Sequence, residues 1–497
     1  MPKISPAKSI QWLIILGALA LFLYWKFDVG IRRYFDVDEF AHLHWGYNVH
    51  LGNKPYQDFF YNFPPFFLYP MAAIFSVFGR TAASLVAARI LMFIVFLIGA
   101  FFLFLLSALL RGYFFAAVAT TVFIFLPLPY DKLVEVRPDL PSLTAALAGL
   151  YFFIRGREGK SRNKFFLSGL FFSLSLALVP KSLFMLLPPL IIFGIDLLRT
   201  KGKERMFILK SFLPFALGML IPGVFLVVLI LNTDKPLLAV YSMSRLSVNI
   251  ANSLSRQFYM APNLFFYPND AYYSFAGYNP VYFSNLAIWI GAAIYGIWQF
   301  LVSFTLDDEK KSQRLFLLTG VFLANLIGFI RFFPLKHAQY LMPTAPFAAL
   351  FFTMLWFDFW QKTIPKRFVP IATVTGVVLI CILGFRMYRV KRNWTNAGTL
   401  AKLERILNKY PADSPIFDLT GETVFFPDGY YFCCLPYGQY QQTLLFDYPA
   451  LEYDMDKKNT LYVHAGIPER LNVIPDMHRK YLEDNFQWSD DGMMERK

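Results

Sequence analysis

The sequence predicts an all-α polytopic membrane protein of about eleven transmembrane helices, with juxtamembrane helices and a small C-terminal external α/β domain. Three observations predict it. Of 497 residues, 57% are hydrophobic and 19% aromatic while only 16% are charged, which excludes a disordered, collagenous or disulfide-stapled chain. Apolar runs approach the roughly 20 residues that a bilayer core demands. Lysine and arginine give a formal charge of +14, but they fall in short clusters between those runs, so the charge is a topology signal and points to no nucleic-acid partner.

The spans are read at 10–25, 83–110, 113–128, 140–154, 165–179, 182–198, 211–231, 281–304, 315–330, 339–360 and 368–385. The first is followed by Trp25-Lys26-Phe27 instead of a small-residue cleavage site, so it is a retained helix. Basic clusters occur at Arg155 to Lys164, Arg199 to Lys210, Lys310 to Arg314 and Lys362 to Arg367, that is, at every second connection. Positive loops stay cytoplasmic. An N-terminus inside therefore puts 26–82, 232–280 and 386–497 on the periplasmic or extracytoplasmic face of a plasma (inner) membrane.

The segment Pro64 to Phe78 leaves two threadings open. It lies at the outer surface, or it crosses and the N-terminus is outside. Its fifteen residues make about 22 Å of helix against a core of about 30 Å, which favours the surface position. Residues 1–385 then form a transmembrane module and 386–497 a soluble domain. In that domain we expect a helix near 397–409, strands near 415–419, 423–426 and 460–464, and a helix near 476–484. The loop 232–280 is dense in aromatics from Tyr241 to Tyr278. Of three cysteines, Cys381 lies in an apolar run, and the adjacent Cys433 and Cys434 are expected not to bridge, which argues against redox chemistry.

Asp36-Val37-Asp38-Glu39 sets three carboxylates at the outer membrane surface, ahead of a predicted amphipathic helix running through His50. One reading is a helix cap, with Asp38 as N-cap and Glu39 in the first turn. The other is a general base whose pKa partial burial raises toward a useful value. His42 follows Asp38 by one helical turn, so the two could share a divalent metal. Packing or substrate hydrogen bonding explains His42 as well, and His44 points elsewhere. Glu135-Val136-Arg137-Pro138-Asp139 falls on the same side, as do Arg89, Lys181, Arg331, Lys336 and His337. Snorkelling explains any one of these cations. Several around one acidic loop suit a lipid-linked phosphate.

The run Asp38 to His44, then Pro55-Tyr56-Gln57-Asp58-Phe59-Phe60 and Pro64-Pro65, together with Glu135-x-Arg137-Pro138-Asp139, Lys181 and His337-x-x-Tyr340-x-x-Pro343, resembles the GT-C superfamily of membrane glycosyltransferases. The resemblance is to the branch with protein O-mannosyltransferases and the lipid A aminoarabinose transferase. It departs at Tyr61-Asn62-Phe63, where many relatives carry an acidic residue and histidines. The resemblance implies a GT-C-like helical core and transfer of a hexosyl or pentosyl group from a polyprenyl-phosphate donor to a lipid, glycan or protein acceptor. Asp38 would be the base, with Glu39 beside it. The lipid phosphate would leave toward Lys181, with Arg89, Arg137 and Arg331 as lesser candidates and Glu135, Asp139, His42, His337 and Tyr340 completing the substrate site. No cofactor is expected beyond a possible divalent metal, since a lipid monophosphate needs less neutralisation than a nucleotide diphosphate and no glycine-rich phosphate loop is visible. The rival is a transporter or flippase of lipid-linked sugars. Such a protein is expected to carry ionisable groups near the midplane, whereas these charges gather at one face.

Overall fold

The computed structural model describes residues 6–246, 248–250, 252, 279–333, 336–434, 443–466, 468–489 and 492–497. The aromatic stretch expected beyond residue 252 in the loop 232–280 therefore lies outside the described residues. Helices form at all eleven expected places. They are α1 (Pro6–Arg32), α4 (Ala82–Arg111), α5 (Tyr113–Phe125), α6 (Asp139–Glu158), α7 (Arg162–Leu178), α8 (Leu183–Arg199), α9 (Gly202–Leu231), α11 (Pro280–Ser303), α12 (Glu309–Ile327), α13 (Ala345–Thr363) and α14 (Val369–Lys391). Between α1 and α4 come α2 (Val37–His50) and α3 (Leu68–Phe78), and α10 (Pro236–Tyr241) follows α9.

By length and composition, seven helical segments among the described residues can cross a membrane. They correspond to α1, α4, α8, α9, α11, α12 and α14. Of the eleven helices at the expected places, α5, α6, α7 and α13 fall outside that count because they are shorter or more polar. Neighbouring helices cover much of them. Every α5 residue from Phe115 to Phe125 is buried, Thr120 and Thr121 included, so apolarity toward lipid is not what holds it. Helices α7 and α9 approach closest at Gly169 and Gly218. A Cβ on either would come within 1.9 or 2.1 Å of a backbone oxygen of the other helix, the small-residue contact of membrane bundles.

The helices run between two chemically distinct ends. At one, Arg157 pairs with Asp196, Arg314 with Glu158, and Arg111 with Asp358, gathering the expected basic clusters. At the other lie Asp38, Arg137 and Lys181, and each of α6 and α8 starts there and finishes in the basic end. The 20 residues of α6 give about 30 Å of rise, the thickness of a bilayer core. Helix α3 lies at the Asp38 end and has 11 residues, about 16 Å, too short to cross. It packs flat on α2, where a Cβ on Gly46 would fall 2.4 Å from that of Met71.

The tail beyond α14 carries α15 (Ala397–Lys409), α16 (Leu451–Lys457), α17 (Asp476–Asn485) and four short strands, β1 (Ile416–Asp418), β2 (Tyr462–His464), β3 (Phe486–Trp488) and β4 (Met493–Arg496). Their order is β1-β2-β4-β3, with β1 and β2 parallel and the other pairs antiparallel. The strand expected at 423–426 is instead a turn. Its apolar residues serve docking, since Phe425 inserts edge-on between Tyr47 of α2 and Phe75 of α3. The same docking buries α2 from Glu39 to Asn48, where one solvated face was expected. Cys433 and Cys434 do form a disulfide, against expectation. Cys434 takes a left-handed φ of 70°, and the pair is buried among Ala41, Trp45 and Tyr56, where the turn brings both thiols to one side.

Candidate active site at the acidic end of α2

Helix α2 starts with a reciprocal cap. The Asp36 carboxylate accepts the Asp38 N–H at 3.0 Å, and Glu39 accepts the Asp36 N–H at 3.0 Å. The cap is therefore Asp36, two residues earlier than the sequence suggested, and Asp38 is not used for capping. Its side chain remains 44% exposed and accepts from the Arg137 guanidinium.

Asp139, the first residue of α6, gathers two cations. It pairs with Lys181 and lies 3.4 Å from Arg137 Nε. Lys181 sits in a tight turn because Pro180 ends α7, having no N–H to continue it. The Lys181 ammonium lies 4.2 Å above the centroid of the Tyr340 ring. Arg137, Asp139, Lys181, Tyr340 and His42 line one cavity of about 300 Å³, walled by Phe63, Phe332, Phe333 and Met243. Asp38 reaches this cavity through Arg137.

Electrostatics divide these groups. Burial, and after it the Arg137 charge, hold His42 down at about 3, so its ring is neutral, and Nδ1 has no hydrogen-bond partner among the described residues. Burial likewise lowers His337, which feels the Asp38 and Arg137 charges. Burial opposes ionisation of Asp36, but Lys132 and Arg137 overcome it and hold that carboxyl well below the usual range.

Three expected site residues lie beneath the cavity instead of in it. Glu39 is fully buried, and both its oxygens are saturated by Arg89 at 3.0 and 2.7 Å, Val136 N at 3.0 Å and Asp36 N. No lone pair is left for a substrate proton. Arg89 spends its remaining donors on the Arg33 and Tyr34 carbonyls, so it has none for a phosphate. Glu135 receives Arg33 at 2.5 Å and Lys132 at 2.9 Å, and thereby ties the 126–138 loop to the end of α1. Arg331 is exposed and does not line the cavity. Lys132, which bridges Asp36 and Glu135, escaped the sequence reading, although it sits in the same charged run. Asn62 and Phe63, at the point of departure from the family pattern, line the cavity.

One group among the described residues brings three ligand-type side chains together, His44, Cys433 and Cys434. As drawn, its sulfurs are bonded to each other, and His44 is engaged on both nitrogens, with Val424 O at 3.1 Å and Asp428 at 2.6 Å. A divalent metal would need the two sulfurs reduced to thiolates and one His44 nitrogen released from its present partner.

The fold is shared with solved structures of an ArnT and of an archaeal oligosaccharyltransferase. ArnT from Cupriavidus metallidurans bound to undecaprenyl phosphate matches over 97% of both chains, with a TM-score of 0.56 and 11% identity. An oligosaccharyltransferase of Archaeoglobus fulgidus in complex with Zn and sulfate matches 97% of this chain and 72% of its own, with a TM-score of 0.55 and 12% identity. The same archaeon's enzyme with an inhibitory peptide and a dolichol-phosphate matches with a TM-score of 0.51 at 12% identity, over 97% and 74% of the two chains. No family model and no curated protein matches the sequence.

Proposed function

We propose that the chain is a membrane glycosyltransferase that moves a sugar from a polyprenyl-phosphate donor to an acceptor hydroxyl on the non-cytoplasmic face. The observation that carries this reading is the convergence of Arg137 and Lys181 on Asp139 inside one cavity, with the uncapped, exposed Asp38 at its rim. Undecaprenyl phosphate and dolichol-phosphate bound to proteins of this fold support it.

In the reaction, the acceptor oxygen bonds to the anomeric carbon as the bond from that carbon to the phosphate oxygen breaks. Asp38 takes the hydroxyl proton. The electron pair leaves with the phosphate, whose growing charge Lys181 and Arg137 stabilise from fixed positions in a site shielded from water. Asp139 keeps both cations converged before the donor arrives. Neutral His42 presents its unpartnered ring nitrogen to a sugar hydroxyl, and Tyr340 supports the Lys181 ammonium. None of these steps is routed through a metal. A transporter would have little use for an exposed carboxylate paired to the cation cluster at one end of the bundle.

Release of free polyprenyl phosphate from labelled polyprenyl-phosphate sugar by the purified protein tests the reading. Asp38→Asn should slow it by at least about 100-fold, the scale of a lost general base. A wild-type protein that ignores the lipid donor yet consumes a nucleotide sugar sinks it.

A further inference from the structure

We infer that the groove between the loop after α2 and the C-terminal domain binds a neutral polyhydroxylated chain, the acceptor glycan of the proposed reaction. The word acceptor rests on the transferase reading, whereas the binding site does not. The groove encloses about 690 Å³ and is lined by Asn53, Gln57 and Asp58 of the loop that follows α2, at the end of that helix opposite Asp38.

Its walls combine flat aromatic faces with polar side chains. Tyr453 is 65% exposed, and Tyr448 is fixed edge-on against Phe432 at 5.0 Å. Both line the groove beside Asp447 and Lys457. Phenol rings offer apolar faces to the C–H side of a pyranose, while carboxylates accept from its hydroxyls.

Asp428 makes the case specific. It lines the groove at 8% exposure. Oδ1 bonds His44 at 2.6 Å, whereas buried Oδ2 has no partner among the described residues. A buried carboxylate oxygen without a donor is unfavourable, and a ligand O–H would supply one. Charge decides the ligand's character. Four carboxylates (Asp58, Asp428, Asp447 and Asp454) face three ammonium groups (Lys235, Lys457 and Lys458), so no strong field favours an anionic or cationic polymer. Through the Asp428 bond to His44, the groove is also joined to the helix whose first turn carries Asp38.

Calorimetric titration of the full chain, in a detergent without a sugar headgroup, tests this with neutral cello- and malto-oligosaccharides. An acidic oligosaccharide of equal length and a Gly-Ser peptide serve as controls. The neutral sugars should bind, and Tyr453→Ala and Asp447→Ala, both at exposed positions, should each weaken binding by about 10-fold while polyprenyl-phosphate binding is unchanged. Absence of binding by every neutral sugar, preference for the acidic sugar or the peptide, or indifference to both substitutions overturns the inference. Sugar binding without any polyprenyl-phosphate binding would instead overturn the transferase reading and leave the groove standing.

Discussion

Asp38 and Glu39 are neighbours in sequence and opposites in environment. Glu39 is sealed in by four donors, and Asp38 is half in water with one cation. The sequence brought both forward because carboxylates before a helix read alike whether they cap, pair or react. What separates them is which way one turn of α2 faces, and that depends on Arg89, some fifty positions away. Glu39→Gln should therefore act through folding, since it leaves the Arg89 guanidinium buried without its counter-charge, a loss of about 3–5 kcal/mol. Thermal denaturation in detergent measures it. A Glu39→Gln protein of unchanged stability that has lost transfer would return Glu39 to the chemistry. Arg137, Asp139 and Lys181 were legible because prolines and helix ends fix their places, whereas Arg331 was not, because the sequence does not say which side of a helix end meets the cavity.

At the scale of elements, the eleven helices and the helix 397–409 could be read from apolar runs and periodicity. The tail's last two strands, Phe486–Trp488 and Met493–Arg496, could not. Each has only three or four residues and takes its shape from pairing, the second with β2 and the first with the second. The apolar run at 423–426 misled because residues that dock onto another module look like residues that form a strand. That docking includes the His44 bond to Asp428. Burial opposes protonation of His44, yet Asp428 and then Asp418 raise its pKa. A raised folded pKa stabilises fully below the unfolded value near 6.5 and is lost as pH rises through the folded value. Docking of the tail should thus weaken toward alkaline pH. Limited proteolysis of the tail between about pH 6 and 9 should accelerate with pH in wild type and lose that dependence in His44→Gln. A wild-type rate that is flat, or that falls with pH, contradicts the assignment.

Over the whole molecule, alternating basic clusters predict the sidedness, and the structure collects those clusters at one end and Asp38, Arg137, Lys181 and the tail at the other. We expect the second end to face outward. In a Cys381→Ser background, single cysteines replacing Lys54 and Lys480 should react with an impermeant reagent in intact cells, and one replacing Lys160 should not. Protection at 54 with reaction at 160 would invert the threading. The central claim is that the cations converging on Asp139 receive a lipid phosphate, and binding of polyprenyl phosphate to the purified protein measures it most directly. Lys181→Met keeps the stem and removes the charge, so affinity should fall by at least about 10-fold, as for a charge-assisted contact in a closed site, with Lys181→Arg partly restoring it. Equal binding by wild type and Lys181→Met would contradict the account.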